Sequence, residues 1–199
     1  MKNKESWLVH TTADSQYGQS IIKVVTASSS IIDAIASVKK EIVKAGYSNP
    51  QITECKLYNQ EIYPELSEHY LFRNALEKLK DISKPQIYEF FFDDEFIVPD
   101  NKYWIIYGEI EKPGNINIIA DGALIDCYLQ SANILDACKT AQKTIAEKGL
   151  ELLELTSCML YIENLYDTAD SGKDIIESNI NKLKTGDTPQ LIIKPFVND

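Results

Sequence analysis

Residues 28–63 match residues 131–166 at a fixed offset of 103, and this internal repeat constrains the fold more than any other feature of the chain. Twelve of the 36 positions are identical: Ser28/Ser131, Ile31/Ile134, Asp33/Asp136, Ala34/Ala137, Lys40/Lys143, Ile42/Ile145, Gly46/Gly149, Thr53/Thr156, Cys55/Cys158, Leu57/Leu160, Tyr58/Tyr161 and Tyr63/Tyr166. Upstream, Trp7-Leu8-Val9 matches Trp104-Ile105-Ile106 at offset 97, so the second copy has a longer opening hairpin. Downstream, Pro85-Gln86 matches Pro189-Gln190 at offset 104. The repeat predicts two domains, 1–95 and 99–199, joined across the polar stretch around Asp93-Asp94-Glu95 and Pro99-Asp100-Asn101.

Each copy reads β-β-α-β-α-β. Trp7–Ala13 and Gln19–Thr26 form a β-rich pair around Ser15-Gln16-Tyr17-Gly18, repeated by Tyr103–Glu111 and Ile116–Gln130 around Lys112-Pro113-Gly114-Asn115. Ile31, Ala34, Ile35, Val38 and Ile42 then recur at helical spacing behind a Ser30 cap, with Asp33 reaching back and Gly46 ending the helix. Asn133, Asp136 and Gly149 repeat those signals. Strands follow at Gln51–Asn59 and Leu153–Ile162, helices at about 65–80 and 173–184, and last strands at Ile87–Phe92 and Leu191–Val197. Strand–helix–strand crossovers normally make parallel neighbours, and the opening hairpin adds one antiparallel strand. The expected fold is therefore α/β on the α+β border, a tandem duplication of a mixed four-stranded sheet with two helices on one face. The other face carries Glu54, Lys56 and Tyr58 in one copy and Ser157, Met159 and Tyr161 in the other, which suggests cover by the other copy or by a partner.

The chain has 199 residues, 30 acidic and 20 basic, for a net charge of −10. The first copy has 11 basic against 14 acidic residues, the second 9 against 16. Nucleic-acid binding needs a basic stripe, and Arg73 is the single arginine, so no nucleic-acid partner is expected. No apolar run reaches the length of a membrane span, and the start MKNKESWLVHTT lacks the apolar core of a signal peptide. Cys55, Cys127, Cys138 and Cys158 fit neither a disulfide framework nor a zinc spacing. A cytoplasmic protein with reduced thiols and no membrane association is therefore expected.

No constellation of side chains nominates a catalytic residue, a metal site or a cofactor. His10 lies in the first strand and His69 on the second helix near Glu65 and Glu68, neither with a nucleophile at a telling spacing. Ser171-Gly172-Lys173 resembles the end of a phosphate loop, but Asp167 and Asp174 stand where glycine and serine or threonine belong. Tyrosine is the remaining signal, with 11 in the chain. Tyr58, Tyr128 and Tyr161 are the candidate partner-binding residues, because tyrosine brings large contact area at small entropic cost. The leading expectation is a non-enzymatic protein-binding or inhibitor module of the immunity, antitoxin or anti-defence type. A small-ligand sensor with a pocket between the repeats, or a structural assembly subunit, are the alternatives, and a homo-oligomer is compatible with each.

Overall fold

The computed structural model describes residues 4–61, 63–82, 84–92, 96–111, 122–163, 173–186 and 188–196. Asp93-Asp94-Glu95, the Lys112–Asn115 turn, Tyr166, Asp167 and Ser171-Gly172 lie outside these residues. The chain divides into two compact units, Met1–Val98 and Pro99–Asp199. Together they hold antiparallel β-strands and α-helices in one mixed α/β chain. Among the described residues no helix is long and apolar enough to cross a membrane.

In the first unit, β1 (Glu5–Ser15) and β2 (Gly18–Ser28) form a hairpin closed by Gln16 and Tyr17. Ser15 Oγ accepts from the Tyr17 N–H at 3.1 Å and donates to the Gly18 carbonyl at 3.0 Å. Gly18 takes φ of +119°, a conformation that disfavours a side chain. Helix α1 (Ile31–Lys44) starts at Ser30, whose Oγ accepts from the Asp33 N–H at 3.2 Å. The Asp33 carboxylate returns to the Ser30 hydroxyl at 2.8 Å rather than to its backbone N–H, a variant of the expected box. Strand β3 is Ser48–Leu57. The single second helix expected is two, α2 (Pro64–Glu68) and α3 (Tyr70–Ile82), broken at His69, where ψ is 111°. Strand β4 is Gln86–Phe92.

The strands pair in the order β4–β2–β1–β3, with every neighbour antiparallel. This corrects the expected mixed sheet. The α1 crossover leaves β2 and returns parallel to it, but beyond β1, so the hairpin keeps the centre and β3 and β4 take the outer positions. The reason is burial. Trp7, Leu8 and Val9 are all buried, as are Val24, Val25 and Thr26, and strands buried on both faces belong in the middle.

The helices lie on opposite faces, not on one. Val25 packs with Leu8, Phe72, Ala75, Leu79 and Tyr88 beneath α3. Its neighbour Val24 points the other way, to a surface it shares with Val38 and Ile42 of α1. The second crossover joins two antiparallel strands, so the handedness rule for parallel crossovers does not bind it.

The second unit comprises β5 (Tyr103–Glu111), β6 (Gly122–Gln130), α4 (Ile134–Glu147), β7 (Leu152–Leu160), α5 (Lys173–Lys184) and β8 (Gln190–Phe196). Its strands pair in the order β7–β5–β6–β8, again all antiparallel. Helix α5 covers Ile105, Tyr128 and Tyr161. Trp104, Ile106, Cys127 and Cys158 face away from it and are also buried, where α4 lies against β5, β6 and β7. The indole N–H of Trp104 donates to the Ser131 carbonyl at 2.9 Å, as Trp7 donates to that of Ser28 at 3.2 Å.

Candidate functional site

The register of the first unit draws four charged side chains into one row. Glu89, Lys23, His10 and Glu54 are successive cross-strand neighbours on β4, β2, β1 and β3, on the face that α3 partly covers. Lys23 Nζ pairs with Glu89 at 2.5 Å, and His10 Nδ1 lies 2.7 Å from Glu54 Oε2. The other Glu54 oxygen takes Lys56 Nζ at 3.0 Å, and that ammonium also lies 4.7 Å from the centre of the Tyr63 ring. Burial by itself raises the Glu54 pKa, but the hydrogen bond and charge of His10, then those of Lys56, outweigh it and bring it to about 2. The carboxylate orients the imidazole, which is half of what a general base needs. Cys55, next to Glu54 in the chain, faces the opposite side of β3 and is buried, so it does not meet this imidazole. Among the described residues no group of three or more His, Cys, Asp and Glu could hold a metal ion. We read the row as a satisfied polar network of the fold.

The second unit replaces this row by Ile192, Asp126, Tyr107 and Ser157. Asp126 pairs with Lys194 on β8. Cys127, next to it, is pushed up to about 12 by burial, so it is no ready thiolate. His69 is also structural: its Nδ1 accepts from the Phe72 N–H at 3.3 Å, and its ring meets the edge of Tyr88.

The three candidate tyrosines are placed inside, or against, the helix-covered cores. Tyr128 is 1% exposed and Tyr161 9%, both packed with Ile105, Ile180 and Leu183. Burial, reinforced by Asp126, raises the Tyr128 pKa. Tyr58 is half-buried edge-on against Phe72, with ring centres 5.0 Å apart. The face expected to await a partner is thus occupied by α3 in one unit and α5 in the other. As they stand, Tyr128 and Tyr161 offer almost no contact surface.

The exposed aromatic surface lies elsewhere, at the β1–β2 turn and on β4. Tyr17 is 75% exposed and Phe90 42%, with Ile87 exposed on the same side of β4, while Phe91, 38% exposed, faces the other side. Tyr17, Gly46, Tyr47 and Phe90 line a groove of about 680 Å³, with Tyr47 and Phe90 edge to face at 6.0 Å. The left-handed Gly46, at φ +93°, ends α1 and lets the chain turn into Tyr47 beside the hairpin tip. Sequence reasoning missed these residues. In the sequence Tyr17 reads only as part of a turn, and Phe90-Phe91-Phe92 only as strand. Comparison with known proteins returned no matching family model, no matching curated protein and no matching solved structure.

Proposed function

We propose that this chain is a non-enzymatic protein-recognition module that engages its partner through the Tyr17, Tyr47 and Phe90 surface of its first unit. The single observation that carries this reading is the continuous exposed apolar patch formed by the hairpin tip and β4. A contiguous apolar surface of this kind, rimmed by polar residues, marks an interaction site more often than it marks nothing. The aromatic composition suits such a role.

We also read the chain as a tandem duplication whose copies have diverged in use. Its support is the twelve identities together with the recurring details: the two tryptophan hydrogen bonds, the two helix caps, and the backbone N–H of Tyr58 and of Tyr161 donating to Ser6 and Tyr103 carbonyls, each at 2.8 Å. Where Tyr47 and Phe91 stand in the first unit, the second has Leu150 and, by register, Lys194.

Affinity capture from the native cells tests the proposal. The wild-type chain should retain a specific protein, and a Tyr17→Ser/Phe90→Ser variant with an unchanged circular dichroism spectrum should lose it. A protein retained equally by both would defeat this assignment of the surface.

A further inference from the structure

The two units end on strands that occupy the same place in the fold but are built to opposite specifications. Strand β8 is terminal in its unit and carries Pro195, which has no N–H to offer an added strand, next to Lys194, whose ammonium is held by Asp126. Strand β4 is terminal in the same way. From Tyr88 it reads Tyr-Glu-Phe-Phe-Phe, with no lysine and no proline, and its one charge is taken up by Lys23. By register, Phe91 opposite Ile21 stands where the second unit has Lys194 opposite Leu124. A bulge at Tyr88 disturbs the first part of β4, but Glu89 to Phe92 pair regularly with β2.

We propose that β4 takes up an extended, basic segment of a partner protein as an added β-strand. This rests on the recognition reading above and specifies its mode. The backbone groups of β4 that point away from β2 would supply the hydrogen bonds, and alternate side chains of the incoming strand would face opposite sides. Those on the α1 side meet Phe90 and the groove with Tyr17 and Tyr47, which is lined without a charged residue and accepts an apolar anchor. Those on the other side meet Phe91 and Glu89. The first unit is acidic by 14 residues to 11 and the whole chain by 30 to 20, so charge complementarity selects a cationic segment over an acidic one and over a second copy of this acidic chain.

The test pans a phage-displayed library of random peptides, about twelve residues long, on the full chain. Enriched sequences are synthesised plain and N-methylated on either alternate set of residues, and their affinities are measured by fluorescence anisotropy. The proposal expects net-positive peptides with alternating apolar residues. Methylation of one alternate set should weaken binding by about a hundredfold, and of the other by less than about threefold, because only one set of amides faces β4. Phe91→Lys, which installs on β4 the lysine that β8 carries, should weaken binding at least about tenfold, and Tyr17→Ser should do so without touching the strand. Equal sensitivity of both methylated sets, acidic or helical peptides, or no enriched peptide would overturn strand addition. So would a dimer of the chain in sedimentation that Phe91→Lys dissolves, because the edge would then serve a second copy. If strand addition fails while capture of a protein still depends on Tyr17 and Phe90, recognition stands with another mode. If that capture fails too, both readings fall.

Discussion

Replacing Glu54 by glutamine should cost the protein stability at about pH 5 and almost nothing in strong acid. The carboxylate is held at about 2 against an ordinary 4.5, with its side chain 18% exposed, so solvent screens it little. At about 1.4 kcal/mol per pH unit, that difference corresponds to about 3 kcal/mol of stabilisation from His10 and Lys56. Since the folded pKa lies below the unfolded one, this contribution is lost as pH falls from 4.5 towards 2, and the part owed to His10 also needs a charged imidazole, which histidine ordinarily carries below about pH 6.5. Glutamine keeps the shape but cannot carry the charge, and it leaves His10 and Lys56 facing a neutral group. Urea unfolding of wild type and Glu54→Gln, followed by circular dichroism, should show a gap of about 3 kcal/mol at about pH 5 that closes steadily below about pH 4.5. A gap that stays constant down to about pH 3 would mean that the row is not an electrostatic unit, and the reasoning would be refuted.

Two further perturbations probe the packing. A Cβ at Gly108 would lie 2.7 Å from the Glu154 carbonyl oxygen of the neighbouring strand, so Gly108→Ala should destabilise by about 1–3 kcal/mol, and an unchanged melting temperature would contradict the β5–β7 register. Ser30→Ala and Asn133→Ala each remove an N-cap acceptor and should each cost about 1 kcal/mol in urea titrations; sharply unequal losses would argue against equivalent helix starts.

Much of the fold is legible in the sequence because local signals agree with it. The spacing of Ile31, Ala34, Ile35, Val38 and Ile42, the caps at Ser30 and Asn133, and the glycines at 46 and 149 sit where their chemistry requires. Strand order is not local. The runs Trp7-Leu8-Val9 and Val24-Val25 did signal two-sided burial, which would have moved the hairpin to the centre and placed helices on both faces. The row from Glu89 to Glu54 was hidden for a different reason. Bulges at Thr53 and Tyr88 break the simple alternation, so Ile52 joins the Cys55 side while His10 meets Glu54. The tyrosines misled because one residue type suits a core edge and an interface equally well. Tyr128 lies on an inner strand of its unit and packs under α5, whereas Phe90 and Phe91 are exposed because β4 is terminal.

The central claim is that the first unit's aromatic surface is where a partner binds, and a photo-crosslinker placed there tests it most directly. Benzoylphenylalanine would be substituted at Tyr17 and, separately, at Tyr70, which is comparably exposed but sits on α3. On irradiation of native cells, the Tyr17 position should give a discrete heavier adduct that Phe90→Ser abolishes, and the Tyr70 position should give none. An adduct from Tyr70 alone, or one from Tyr17 that persists in the Phe90→Ser chain, would contradict the account.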